Sequence, residues 1–256
     1  MRIKPALIYR FEEYKKVVMF YYVVIVIVYT FLLVTTRDSG LVVTNINSGS
    51  TSTVLISGIE ISGFIFLFVL GLNSFTEPFK MFLQNSISRV TVFTSFVVAA
   101  ICTALGISFI NSIINLLLSG VERYSTIFQL IYGHRYISYS SIIPSYFEEL
   151  LWSSFLYISV LVLGFLIATL YYRLSKVLKY VVSIGVPVFF LMILPILDTT
   201  LAEGNIYKTI ITFMLFIFGK TTNGFNPYYT IISSLAISII LFVISYLLLR
   251  RATIKD

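Results

Sequence analysis

Carboxyl groups are the residues of this sequence whose types and spacing come closest to a chemical function. Glu148 and Glu149 stand side by side at the start of an apolar run, as a catalytic pair of an intramembrane enzyme would. Such an enzyme also needs a second base or a set of metal ligands. His134 is the only histidine and Cys102 the only cysteine, so those partners are missing from the sequence. We therefore expect no catalytic residue and no metal site.

The same two carboxyl groups have a simpler explanation in helix capping. Ser145 and Glu148 have the spacing of a capping box. Negative side chains are also stabilising at the positive end of a helix. We expect this capping role, and the alternative is that the pair attracts cationic regions of a peptide.

Polar residues inside apolar runs form a second group of candidate site residues. Glu60 is the only ionisable residue within a predicted membrane span, and its desolvation makes it a functional candidate. It can lie on a translocation path or be hydrogen-bonded at a helix interface. Ser108, Asn111 and Asn115 share one face of a predicted helix. These three residues can line a wet cavity on the path, or join helices by hydrogen bonds.

A short glycine-lysine motif raises the question of nucleotide binding. Residues 219–221 are Gly-Lys-Thr, which is how a phosphate-binding loop ends. That loop needs another glycine five residues earlier so that backbone N–H groups can surround the phosphates, and Met214 stands at that position. We expect no cofactor in this chain, and any ATP and Mg²⁺ must be bound by another protein.

The composition indicates what kind of structure must position these residues. Of the 256 residues, 58% are hydrophobic and only 11% are charged, and the mean hydropathy is +0.97. Those values are far from those of a soluble domain and indicate an integral membrane protein. No polar segment is long enough to build a separate core, so we expect a single all-α membrane domain over residues 1–256.

Long apolar runs predict six membrane-spanning helices, because about 20 apolar residues cross the hydrocarbon core. The predicted spans are residues 17–35, 54–74, 92–118, 150–172, 180–197 and 227–249. Residues 1–16 predict an interfacial helix in which Arg10, Lys15 and Lys16 reach the headgroups of membrane lipid. The apolar run at residues 206–218 is short for a span. We expect a short helix there, outside the membrane or re-entrant, between the fifth and sixth spans.

Basic residues determine the predicted orientation. Under this topology thirteen of the 18 lysines and arginines lie on the side that holds both termini, and five lie on the other side. The positive-inside rule places the richer side in the cytoplasm. The net charge of +7 is then explained by anionic lipid, and nucleic acid is not expected as a partner.

Residues 75–91 form an amphipathic island between the second and third spans, on the predicted cytoplasmic side. A helix over residues 76–89 places Phe79, Phe82 and Leu83 on one apolar face. Its polar residues are Lys80, Gln84, Ser88 and Arg89. Such a helix can lie at a membrane surface and offer side chains to a soluble partner.

This layout resembles the permease subunits of type-two ATP-binding-cassette exporters, including the small permeases of Gram-positive bacteria. In that family the corresponding short helix is the coupling helix, which docks in a cleft of the ATPase subunit. Its motif has a small residue or glycine, an apolar residue, Ser-Arg and a second basic residue. Ser88 and Arg89 match this motif, Ser86 stands at the usual glycine, and Val90 replaces the second basic residue.

The resemblance implies a non-enzymatic subunit that dimerises with a second copy or with a homologous permease. A separate ATPase subunit would hydrolyse ATP, and the exported substrate would be amphipathic or hydrophobic, such as a peptide toxin or an antimicrobial peptide. The protein would lie in the cell membrane of a Gram-positive bacterium, with both termini in the cytoplasm. A membrane subunit for sensing of, or immunity to, a peptide antibiotic is the alternative, and an intramembrane enzyme is less favoured.

Overall fold

The computed structural model describes residues 3–35, 55–56, 58–118, 124–133, 142–200, 204–221 and 224–250. These parts of the chain are almost entirely helical. The predicted outer loop at residues 36–53 and the single histidine, His134, lie outside the described residues.

The helices follow the order of the apolar runs. They are α1 (Ile3–Thr35), α2 (Gly58–Asn73), α3 (Thr76–Gln84), α4 (Arg89–Leu118), α5 (Ile127–Tyr132), α6 (Ile142–Arg173), α7 (Lys176–Val188), α8 (Leu194–Thr200), α9 (Asn205–Ile217) and α10 (Pro227–Arg250). A π-helical segment, Phe189–Ile193, joins α7 to α8. Strand β1 (Leu55–Ile56) pairs in parallel with β2 (Tyr124–Ser125), and β3 (Lys220–Thr221) forms an antiparallel hairpin with β4 (Gly224–Phe225).

Five segments of the described chain are long and apolar enough to cross a membrane. They are Ile59–Gln84, Arg89–Leu118, Ser145–Arg173, Lys176–Thr200 and Pro227–Arg250. The first predicted span, residues 17–35, is helical as the second half of α1 but is not among the five. The apolar run at residues 206–218 forms the shorter helix α9, of 13 residues. The chain is therefore a helical, multi-pass membrane protein.

Several helix boundaries differ from the predicted ones for local reasons. The predicted interfacial helix is not separate, because α1 continues without a break for 33 residues. Strand β1 occupies the predicted start of the second span, so α2 begins only at Gly58. Helix α6 begins at Ile142, eight residues before the predicted position, and it has Pro144 in its first turn, where the missing N–H costs little. The fifth span is interrupted after Pro187, whose missing N–H disturbs the helical ladder.

Helix α6 lies at the centre of the bundle and packs against α2, α4 and α10, while α1 packs against α4. Helices α2 and α6 touch backbone to backbone. A Cβ on Gly164 would lie 2.4 Å from the Phe68 carbonyl oxygen, and one on Gly71 would lie 2.1 Å from that of Leu161. Only glycine permits so close an approach, which is a common device between membrane helices. The segment Lys176–Thr200, in contrast, is exposed along almost its whole length.

Candidate functional site

A buried polar cluster joins α2, α4 and α6 at the end of the bundle where α2 begins. Glu60, Asn115 and Glu149 meet there, and each is at most 2% exposed. The Asn115 amide nitrogen donates to Glu149 Oε1 over 2.7 Å and lies 3.5 Å from Glu60 Oε1. The backbone N–H of Ile127, the first residue of α5, donates to Glu60 Oε2 over 2.8 Å. The cluster therefore ties four helices together.

The two carboxyl groups of this cluster face the same amide, since the Asn115 nitrogen lies within 3.5 Å of an oxygen atom of each. Two negative charges this close would repel each other strongly in a buried site. The Asn115 amide and the Ile127 N–H group supply one hydrogen-bond donor to each carboxyl group.

The polar network continues along the facing sides of α4 and α6. The hydroxyl groups of Ser108 and Ser153 lie 2.6 Å apart. The Asn111 amide donates to the Tyr157 hydroxyl over 2.9 Å, and the Tyr22 hydroxyl of α1 donates to Asn111 Oδ1 over 3.0 Å. The structure thus places each of the four predicted path residues in a hydrogen bond between helices. Their role on a translocation path stays a prediction.

Glu149 is the member of this cluster that sequence reasoning missed. The predicted capping box is wrong, because α6 begins at Ile142 and Ser145 therefore lies inside the helix. Glu148 points elsewhere and accepts a hydrogen bond from the Tyr228 hydroxyl over 2.6 Å. The spacing contained a signal that Glu149 belongs to a polar helix face. The polar residues at 149, 153 and 157 are four apart and so share one face of α6.

At the opposite end of the bundle, α3 packs its aromatic face into the protein. Phe79 is fully buried, and its ring centre lies 4.8 Å from that of Phe75 and 5.7 Å from that of Tyr172 on α6. Phe82 is also buried and packs edge to face against Tyr9 of α1. The chain's own α1 and α6 therefore occupy the apolar face that the sequence offered to a partner.

The other predicted coupling residues lie along the edge of α3 or beyond its end. Gln84 and Ser88 are exposed, whereas Lys80, Leu83 and Arg89 are half-buried. Ser88 Oγ accepts the backbone N–H of Thr91 over 3.3 Å, as a helix N-cap does. Arg89 is the first residue of α4, and its Nη1 donates to the Arg250 carbonyl over 2.7 Å. These two residues therefore connect α4 to its neighbours instead of continuing α3.

Helix α3 ends at Gln84, five residues before the predicted end, because the chain turns at Ser86. The φ angle of Ser86 is 58°, a left-handed conformation that favours glycine. The N–H of Ile87 donates to the Phe82 carbonyl over 2.9 Å, and that of Ser86 donates to the Leu83 carbonyl over 3.0 Å. This is the Schellman pattern of a helix C-terminus.

Arg10 lies in a different environment from the predicted one. It is fully buried, its Nη1 donates to the Ser74 carbonyl over 2.9 Å, and its Nε donates to Ser95 Oγ over 3.3 Å. Its guanidinium also lies 5.6 Å from the ring centres of Phe82 and Phe96, in cation–π range. The prediction that Arg10 anchors the chain to lipid headgroups is wrong, because neighbouring helices surround its charge.

Glu13, Lys15 and Lys16 are also charged residues of α1 and follow Arg10 closely in the sequence. Lys15 and Lys16 are exposed, and their contact with lipid stays a prediction. Glu13 is half-buried, and this burial raises the pKa of its carboxyl above the ordinary value of 4.5. The Arg10 guanidinium opposes that rise in the pKa, and the Glu77 carboxylate adds to it.

The remaining chemical motifs occupy structural positions. Residues 219–221 lead into the hairpin of β3 and β4, where the N–H of Asn226 donates to the Gly219 carbonyl over 2.9 Å. Cys102 is an exposed free thiol on α4. Within the described ranges, no three His, Cys, Asp or Glu side chains come together in a group that could hold a metal ion.

Comparison with protein-family models, curated proteins and solved structures found no match to this chain. The identity that its sequence and structure support is that of a helical membrane protein with five candidate spans in its described residues.

Proposed function

We propose that this chain is the permease subunit of a type-two ATP-binding-cassette exporter. It provides the membrane path for an amphipathic or hydrophobic substrate, such as a peptide toxin or an antimicrobial peptide. It works with a second copy or a homologous permease, and a separate cytoplasmic subunit binds ATP and Mg²⁺ and hydrolyses the nucleotide. Both termini and α3 lie on the cytoplasmic side of the cell membrane.

The position of α3 is the observation that carries this proposal. It is a short amphipathic helix between two apolar helices, and its aromatic face is inserted among α1, α4 and α6. Basic residues gather at the same end of the bundle, among them Lys80, Arg89, Arg173 and Arg250. A soluble partner that moved α3 would displace three neighbouring helices together, which is what mechanical coupling to ATP hydrolysis requires.

The accessible edge of α3 defines how the ATPase subunit would bind. Phe79 and Phe82 are buried against α1 and α6, so the exposed part of α3 is its polar edge. We assign the contact to the polar edge, which consists of Glu77, Lys80, Gln84 and Asn85. In this arrangement the aromatic face transmits the movement of α3 into the bundle, and the polar edge receives it from the partner.

The buried network is the part of the bundle that we connect to the translocation path. Glu60, Asn111 and Asn115 now hydrogen-bond across α2, α4 and α6 and exclude water. Separation of these helices would expose the same polar groups to a shared cavity. We therefore interpret the observed arrangement as a sealed state of the path, one of the two states that alternating access needs.

A photo-crosslinking amino acid at position 84 tests the proposal, because Gln84 is exposed at the end of α3. The matched control carries the same crosslinker at position 208, since Lys208 is exposed on α9 at the other end of the bundle. Cells of the native host are irradiated, and the cross-linked protein is identified by mass spectrometry. The complex is then purified without crosslinking and assayed for ATP hydrolysis.

We expect position 84, and not position 208, to capture a protein with a complete phosphate-binding loop, and the purified complex to hydrolyse ATP. Capture of a histidine kinase in its place would favour the sensing alternative. If position 84 captures no ATPase in cells where the protein is correctly inserted, the proposed coupling role is wrong.

A further inference from the structure

A groove opens between α2, α6 and α7 at the end of the bundle that carries α3. Its volume is about 440 Å³. Leu72 of α2 and Ile167 and Ala168 of α6 form an apolar floor. All three residues belong to segments that are long and apolar enough to cross a membrane.

The mouth of this groove is polar. Thr76 and Tyr171 contribute hydroxyl groups, and Lys179 contributes an ammonium group. Lys179 is half-buried, which lets its apolar stem line the groove while its charged end reaches the mouth. The Tyr171 hydroxyl lies 3.1 Å from Ser183 Oγ, and this contact holds α7 against α6 as the wall of the groove.

Positive charge prevails around the mouth. Arg173 is the last residue of α6 and Lys176 is the first residue of α7, so both lie within six residues of Lys179. Glu77, beside Thr76 on α3, is the opposing charge at this end of the groove. The ammonium group of Lys179 thus lies at the mouth, above a floor without charge, and two further basic residues are close to it along the chain. A ligand with an anionic head and an apolar tail matches both halves.

We propose that this groove binds one anionic phospholipid, with its phosphate at Lys179 and an acyl chain on Leu72 and Ala168. Basic pockets between membrane helices bind phosphate headgroups in this way. The site requires only that α2, α6 and α7 lie in a bilayer, and it does not depend on the proposed coupling to an ATPase. Failure of either proposal would leave the other unaffected.

Native mass spectrometry of the full-length chain in detergent tests the site, with phosphatidylglycerol and phosphatidylcholine added in equal amounts. The wild type should retain one molecule of phosphatidylglycerol in preference to phosphatidylcholine. Lys179→Gln should lower this retention about fivefold, the value of one basic residue near a headgroup. Lys179→Arg should preserve it. The matched control is Lys176→Gln, which removes an exposed charge from the same turn and should have a much smaller effect.

A second variant tests the apolar floor without changing any charge. Ala168→Phe should fill the groove and lower retention of phosphatidylglycerol, while gel filtration shows that the protein remains folded. Equal losses in Lys179→Gln and Lys176→Gln would overturn the proposal, because they would indicate a diffuse positive surface. Equal retention of the two lipids would also overturn the proposal. Full displacement of phosphatidylglycerol by inorganic phosphate would do the same, because a free anion would then be enough to occupy the site.

Discussion

The Arg10 guanidinium donates a hydrogen bond to the Ser74 carbonyl over 2.9 Å and so joins α1 to the turn between α2 and α3. The Tyr14 hydroxyl reinforces this connection by donating to Ser74 Oγ over 2.7 Å. A buried charge is costly unless neighbouring groups compensate it. Here the compensation is incomplete, because Arg10 Nη2 has no hydrogen-bond partner among the described residues. The end of α2 therefore depends on a side chain from the first turns of α1.

Replacing Arg10 by alanine should destabilise the protein by about 3 kcal/mol, because the change leaves a cavity and removes the donor to the Ser74 carbonyl. Thermal unfolding of the purified protein in detergent measures this loss. Lys15→Ala is the matched control on an exposed position of the same helix, and it should change stability by less than about 0.5 kcal/mol. Equal effects of the two substitutions would contradict the buried position of Arg10.

Gly164→Ala should push α2 away from α6, because the added Cβ would lie 2.4 Å from the Phe68 carbonyl oxygen. We expect a loss of about 1–3 kcal/mol from this overpacking, measured by the same unfolding assay. Gly106→Ala is the control, since a Cβ there meets no atom within 4 Å. That substitution should be neutral or slightly stabilising, because alanine favours a helix over glycine. Comparable losses at both glycines would rule out the close helix crossing.

Asn115→Asp should place a third carboxyl group beside Glu60 and Glu149 and remove the amide that donates to Glu149. We expect destabilisation of about 3 kcal/mol or more at neutral pH, because charge is added to a closed, buried cluster. Asn205→Asp, at an exposed position in the first turn of α9, serves as the control and should unfold like the wild type. An Asn115→Asp variant as stable as the wild type would mean that water already reaches this cluster.

Glu13 should make stability depend on pH. Burial raises the pKa of this carboxyl above 4.5 in the folded protein, so the folded state binds the proton more tightly than the unfolded state. Stability should then fall as the pH rises from 4.5 through the raised pKa. Glu13→Gln should be more stable than the wild type at neutral pH and equal to it below pH 4.5, in unfolding curves recorded across this range. Glu12→Gln, on an exposed position, should not reproduce this difference.

Ser86→Gly should stabilise the turn after α3 by about 0.5–1 kcal/mol, because glycine adopts a positive φ without a Cβ clash. Ser86→Ala is the matched control and should give no gain, since alanine keeps the Cβ. Unfolding measurements on the two variants separate this backbone effect from loss of the hydroxyl group. A gain in the alanine variant would mean that the serine side chain, and not its backbone conformation, carries the cost.

Long apolar runs were sufficient to predict most of the helical layout, because a membrane helix must satisfy its own backbone hydrogen bonds. The predicted last span, residues 227–249, matches α10 to within one residue, and Pro227 suits its first turn. The run at residues 206–218 was likewise recognisable as a shorter helix.

The packing of those helices was harder to predict, because lipid and protein interiors are equally apolar. The sequence pattern of α1 therefore did not show whether the helix face that carries Arg10 lies towards the lipid headgroups or packs on α4. Ser108, Asn111 and Asn115 were recognisable as a polar stripe from their spacing. Their partner Glu149 was not, because its place beside Glu60 depends on the register of α2 against α6, which distant glycines determine.

The glycine contact between α2 and α6 has a mechanical consequence. Gly71 lies eleven residues from Glu60 but only five from Thr76, the first residue of α3. At the rise of a helix these distances are about 16 Å and about 8 Å. If α2 tilts about this crossing as a rigid rod, the crossing is the fulcrum of a lever with unequal arms. A displacement of α3 would then move Glu60 about twice as far, with about half the force.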